Sequence, residues 1–171
     1  MPLAPNWRAI VRVSFMRHFF DRIGLLIATG FGAGLSPKAP GTIGSLAAIP
    51  IIGLVKLSNL GLFGEIFTLL LVCAIGLWAT ARAESVWKTH DDSRIVVDEI
   101  AGMFLTLIWF PFTIKNIIFG FALFRLFDIW KPGPIGYIDE NAPGYWGTFF
   151  DDIVAGAFAA FFLWLVATNF S

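Results

Sequence analysis

Four polar stretches hold most of the side chains able to carry chemistry in this 171-residue chain. The first, GFGAGLSPKAPGTIGSL over residues 30–46, sets Lys38 between Pro37 and Pro40 in a glycine-rich turn. Glycines permit close backbone approach and prolines fix φ, so the cation sits on a restricted backbone. Thr42 or Ser45 is placed to cap a following helix, whose free N–H groups suit a phosphate. The order GxxxxGK[ST] is missing, which excludes a nucleotide P-loop. The second stretch, THDDSRIVVDEIAG over 89–102, puts Asp98 and Glu99 at the head of an apolar run. A helix dipole explains one acidic residue there, but a charged pair at the edge of an apolar helix costs more than capping requires and points to function. His90, Asp91 and Asp92 read as loop surface.

In the third stretch, FRLFDIWKPGPIGYIDE over 124–140, Arg125, Asp128 and Lys131 recur every three residues before Pro132. That spacing places them on one helix face, and the proline ends the helix. Asp139 and Glu140 lie beyond two prolines and read as solvated. The fourth, GYWGTFFDDIVAG over 144–156, opens another apolar run with Asp151 and Asp152. DDIVAG at 151–156 echoes DEIAG at 98–102, an acidic pair followed by Ile, Ala and Gly. Small residues of this kind let helices approach closely in a bilayer.

Carboxylates at this density suit a hard divalent ion. Mg²⁺ needs only one or two of them together with water and phosphate oxygens, and Asp98, Glu99, Asp128, Asp151 and Asp152 exceed that number. Without a cation such charges would repel strongly beside hydrocarbon. Lys38, Arg125 and Lys131 can neutralise a transferring phosphoryl group, and a metal ion can activate water to attack it. Asp128, beside two cations, is an alternative nucleophile. No Ser-His-Asp arrangement, CxxC or HExxH occurs.

The elements that must position these groups are apolar. The chain is 57% hydrophobic and 14% charged, against about 25% charged in a typical soluble domain. Nearly charge-free segments cover 43–55, 60–81, 100–114, 117–124 (continuing through Leu126 and Phe127) and 153–168. A crossing helix needs about 20 residues, with a working limit near 17. The expectation is therefore an all-α, multi-pass membrane helical bundle with about five apolar segments, some short or interrupted, in a single embedded domain over 23–171. Residues 1–22 form a basic lead-in whose arginines interrupt any signal-peptide core. Within it Trp7, Ile10, Val11, Phe15, Phe19 and Phe20 suit an interfacial helix. Cys73 reads as a small buried hydrophobe. Zero net charge and the lack of a basic stripe exclude nucleic acid as a partner. Four arginines before residue 23 favour a cytoplasmic amino end. Five crossings would then gather 10 of the 12 acidic residues on that side, leaving Asp21 in the lead-in and Glu65 inside an apolar segment.

PKAPGTIGS, IVVDEIAG, RLFDIWKPGP and FFDDIVAG, in that order, resemble the phosphatidylglycerophosphatase A family of bacterial membrane enzymes. The resemblance runs from Gly30 to Gly156, with Gly133 standing where the family usually has an aromatic and Tyr145 where it often has glycine. It implies Mg²⁺-dependent removal of the terminal phosphate of phosphatidylglycerophosphate at the cytoplasmic face of the inner membrane. Its polar motif residues fall on Lys38, Asp98, Glu99, Arg125, Asp128, Lys131, Asp151 and Asp152. The expected metal ligands are Asp98, Glu99, Asp151 and Asp152. Asp128, Asp98, Lys131 and Arg125 are the expected catalytic groups, with Lys38, Thr42, Arg125 and Lys131 on the substrate phosphate. A small cation transporter or channel, with carboxylates on an ion path, is the alternative from another class. A phospholipid head-group phosphotransferase is nearer, but its DGxxAR and GxxxDxxxD patterns are absent.

Overall fold

The computed structural model describes residues 7–169, with side chains described for 16–168. It is all-α: α1 Trp7–Ala28, α2 Pro40–Leu57, α3 Gly61–Trp87, α4 Val97–Leu107, α5 Ile114–Trp130, α6 Pro134–Asn141 and α7 Tyr145–Asn169, with a 3-10 turn at Ala33–Leu35. Among the described residues three helices are long and apolar enough to cross a membrane: Pro40–Leu57, Gly61–Trp87 and Tyr145–Thr168. The chain is thus a multi-pass, membrane-type helical bundle.

The central element is α4. Nine of its eleven residues are buried, and α7, α2, α3 and α5 pack around it. Packing among these four helices explains the continuous apolar run after Glu99. It also corrects the expectation that 100–114 forms a crossing helix. Eleven residues at 1.5 Å each reach only about 16 Å, roughly half the hydrocarbon layer. The chain leaves helical geometry after Leu107 and restarts at α5, where the Thr113 side chain accepts from the Asn116 N–H. Pro111 offers no N–H and ends any continuation. Phe112 covers Gly53 of α2, where an added Cβ would come 3.0 Å from the ring. Residues 111–115 are otherwise exposed. The fourth segment becomes α5, 17 residues carrying Lys115, Arg125 and Asp128.

Glu65 has a local explanation. At the end of the bundle away from the four polar stretches, Lys56 Nζ lies 2.6 Å from Glu65 Oε2 and also donates to the Ile108 carbonyl at 2.6 Å. One ammonium neutralises the carboxylate and satisfies a terminal carbonyl of α4. Lys56→Met should lower stability by about 3 kcal/mol, because it leaves a partly buried charge unpaired. The double change Lys56→Met with Glu65→Leu should recover part of that loss, and thermal melts in one detergent would measure both.

Helix α1 runs unbroken through residues 22 and 23 and ends against the α3–α4 connection, where the Val96 N–H donates to the Ala28 carbonyl at 2.9 Å. Asp21 pairs with Arg82 of α3 at 3.3 Å. Of the proposed interfacial side chains, Trp7, Ile10, Val11 and Phe15 lie outside the described side chains, whereas Phe19 and Phe20 are exposed.

Candidate active site

The DEIAG and DDIVAG echo is the point at which α4 and α7 cross. A Cβ on Gly156 would collide with the Gly102 carbonyl oxygen, and one on Gly102 would meet the Asp152 carbonyl and the Phe124 ring. Thr106 Oγ1 lies across this contact, donating to Gly102 O at 2.9 Å and reaching Gly156 O at 3.3 Å. Each glycine stands four residues after an aspartate, Asp98 and Asp152. Residues four apart share a helix face, so the crossing brings these two carboxylates together one turn above it. Glu99 completes the group: one oxygen from each of Asp98, Glu99 and Asp152 lies within 4.8 Å of the others.

Asp98 and Asp152 are only 4% and 5% exposed. Glu99 Oε2 and Asp152 Oδ1 are buried with no hydrogen-bond partner among the described residues. Buried carboxylate oxygens left bare are costly. A divalent cation would answer both oxygens, and the all-oxygen donor set matches Mg²⁺ better than a softer metal. The residues present fit such an ion.

The glycine-proline loop reaches the same place. Gly41, in the first turn of α2, lies so close to Glu99 that a Cβ would strike Oε1, and that Cβ would stand 3.1 Å from Arg125 Nη1. Thr42 or Ser45 does not cap α2, contrary to the sequence reading. The helix begins at Pro40 behind a left-handed Ala39, and the Ser45 hydroxyl instead donates to the Gly41 carbonyl at 2.8 Å. Proline is favoured at a first helical position because its missing N–H is not needed there. The Ile43 N–H donates to the Ala39 carbonyl at 3.2 Å, so the N–H groups of Gly41 and Thr42 belong to the first turn, where a helix leaves its N–H groups without intrahelical acceptors. Lys38 is exposed on the approach to this helix end.

The remaining motif residues form ion pairs around the triad. Arg125 pairs with Asp128 one turn along α5, and its buried Nε has no hydrogen-bond partner among the described residues. Lys131, in left-handed conformation at the end of α5, donates to Asp151 at 2.6 Å and to Asp139 at 2.7 Å. Burial would favour the neutral amine, but these two carboxylates outweigh it and hold the ammonium above the usual lysine range. Asp151 thus faces Lys131 and lies outside the three-carboxylate group. Asp139 is correspondingly not the solvated residue its position beyond Pro132 suggested. Helix α6 folds back onto α7 and delivers it to Lys131.

One cluster was not legible in the sequence. Glu84, near the end of α3, accepts from the Thr148 hydroxyl at 2.8 Å, while His90 Nδ1 lies 3.1 Å away. Nothing in the spacing of Glu84 and Thr148 signals this pairing, which ties α3 to α7 beside Asp151 and Asp152. Asp92 and Arg94 close the loop between, and the Arg94 guanidinium holds the Asp92 carboxyl down to about 2.

A family model for phosphatidylglycerophosphatase A matches residues 26–167. The Escherichia coli (strain K12) protein named phosphatidylglycerophosphatase A is 41% identical over 142 residues, covering 82% of this chain and 81% of that protein. The Haemophilus influenzae protein of the same name is 40% identical over 135 residues, covering 78% and 82%. A Bacteroides thetaiotaomicron protein with the provisional description phosphatidylinositol-3-phosphatase is 40% identical over 142 residues, covering 79% and 87%. No solved structure matches significantly. With four ordered motifs meeting at one end of the bundle and a match over most of its length, the chain belongs to the phosphatidylglycerophosphatase A family of membrane phosphatases.

Proposed function

We propose that this chain hydrolyses the terminal phosphate of phosphatidylglycerophosphate, leaving phosphatidylglycerol, with Mg²⁺ as its cofactor. The observation that carries this reading is the convergence of Asp98, Glu99 and Asp152 with Arg125 and the first turn of α2, at one end of membrane-crossing helices. A lipid can keep its acyl chains in the bilayer while its head group enters such a cluster. Mg²⁺ held by the three carboxylates would supply Lewis-acid polarisation of a phosphoryl oxygen and a lowered pKa for water. Arg125 and the Gly41 and Thr42 N–H groups then bind the outer phosphate oxygens, where charge develops in the transition state. Asp128 orients Arg125. Asp151 and Asp139 hold Lys131 at the rim, and Lys38 meets the phosphate as it enters. The transporter reading finds no support, since Glu65 is committed to Lys56 at the far end.

Phosphate release from a panel of lipid phosphates by the purified protein, with and without Mg²⁺, tests the proposal. Phosphatidylglycerophosphate should be the preferred substrate and a chelator should abolish turnover. Preference for phosphatidylinositol 3-phosphate would overturn the head-group assignment, and activity indifferent to chelation would remove the metal.

The two lysines should respond differently to replacement. Lys38 is exposed and makes no ion pair among the described residues, so Lys38→Met should lower kcat/KM roughly tenfold, the value of one charge-assisted contact, without shifting the thermal midpoint. Lys131→Met should lower both, because it strands the buried Asp151. Orientation is a separate proposal: the site faces the cytoplasm of a bacterial inner membrane. In a Cys73→Ala background, Ser93→Cys and Tyr137→Cys should both label from the cytoplasmic side, and labelling from opposite sides would defeat it.

A further inference from the structure

A second feature of the bundle is apolar. Helices α2 and α3 are consecutive yet touch little, and between them, roofed by the end of α1, runs a groove of about 290 Å³. Its lining passes from Gly30 and Phe31 after α1 to Ile51 of α2 and to Val72 and Ile75 of α3. Ile51, Val72 and Ile75 sit near the middle of two membrane-crossing helices, whereas Gly30 and Phe31 lie at the end of the bundle that carries the site. The groove therefore descends from the bilayer interface to mid-depth, the path of one acyl chain of one leaflet. Phe31 at its mouth is 73% exposed and Ile75 along it 47%, so it opens sideways to lipid.

The wall contributed by α4 decides whose chain it is. Val97 and Ile100 line the groove, and Asp98 and Glu99 stand between them in sequence. At about 100° per residue, Val97 and Ile100 occupy one side of the helix and the two carboxylates the opposite side. A single lipid whose phosphate meets Asp98 and Glu99 would have to wrap around α4 to place a chain here. We propose that the groove is a binding site for an acyl chain of a bilayer phospholipid that is not the substrate. The bound chain supports the loop that carries Lys38 and Gly41, because Gly30 in the groove wall rests on Ile100 and Val96, each 3.0 Å from where its Cβ would lie.

The test uses the full chain in vesicles of phosphatidylethanolamine and phosphatidylglycerol with a trace of phosphatidylethanolamine bearing a diazirine in one acyl chain, a probe with no terminal phosphate to hydrolyse. Adducts mapped after illumination should concentrate at Ile51, Val72 and Ile75, and be scarce at Leu70, which at 61% exposed is more accessible than Ile75 but lies on another side of α3. Val72→Phe, filling the groove, should cut the groove adducts roughly tenfold, since losing contact for two methylenes already has that effect on occupancy. Adducts at Leu70 should persist. If Val72→Phe does not fold, Ile75→Phe at the open side provides the same comparison with less crowding. Equal yields at Leu70 and Ile75 would mean annular lipid only and overturn the proposal. Displacement of the groove adducts by phosphatidylglycerophosphate, and not by added phosphatidylglycerol, would give the groove to the substrate and overturn it equally. Adduct positions do not depend on turnover, so a failure here is distinct from a failure of the phosphatase reading.

Discussion

Asp98→Asn, Glu99→Gln and Asp152→Asn should each lose roughly 10²-fold or more of phosphatase activity, the cost of removing one group that stabilises developing charge at a reacting centre. Oxygens of these three carboxylates share a 4.8 Å neighbourhood, and Glu99 and Asp152 each hold a buried oxygen with no hydrogen-bond partner among the described residues. Amide replacement preserves size and removes the charge, so metal affinity should fall in step with activity. Folding should survive and even improve, because mutual repulsion of buried carboxylates opposes the metal-free fold. Asp151→Asn should behave otherwise. Its partner is Lys131, so activity should drop less and metal affinity should change little. Measuring kcat/KM, Mg²⁺ affinity and thermal midpoint on the four proteins would separate the roles. Near-normal turnover in all three triad variants would reject the site.

Gly156→Ala is expected to damage the enzyme from outside the polar cluster. The new methyl would collide with the Gly102 carbonyl, and the Gly102 Cα would stand only 3.0 Å from it. Backbone cannot rotate aside as a side chain can, so α4 and α7 must separate. Overpacking of this kind costs about 1–3 kcal/mol, and here it also pulls Asp98 from Asp152 one turn away. Misplacement by an ångström at a reacting site can cost about 10² in rate. Activity per folded molecule should therefore fall well beyond the loss of stability, with Mg²⁺ affinity reduced too. Gly120→Ala is the control: its methyl would meet side-chain ends of Leu107, Leu163 and Thr106, which can shift. It should be mildly destabilising and leave turnover intact. Equal activities for the two folded variants would show that the crossing does not set the carboxylate geometry.

The membrane character and the gathering of four polar stretches were legible in the residues themselves. A run such as 60–81 can only be buried in lipid or protein, and antiparallel helices return successive polar ends to one side. Charge type and motif order pointed to a metal-assisted phosphatase for a related reason: buried carboxylates in such numbers need a cation, wherever the helices place them. Composition could not distinguish burial in protein from burial in lipid. Residues 100–114 are as apolar as a crossing helix, yet α4 is short and enclosed, because its neighbours supply the apolar surroundings a bilayer would otherwise provide. Nor could adjacency in sequence divide the acids. Asp151 and Asp152 are neighbours, but a step of about 100° around α7 turns one to Lys131 and the other to Asp98 and Glu99. The pairings of Glu84 with Thr148 and of Lys131 with Asp139 join residues from different elements. Those depend on where α3, α6 and α7 pack against one another, which is a property of the assembled bundle alone.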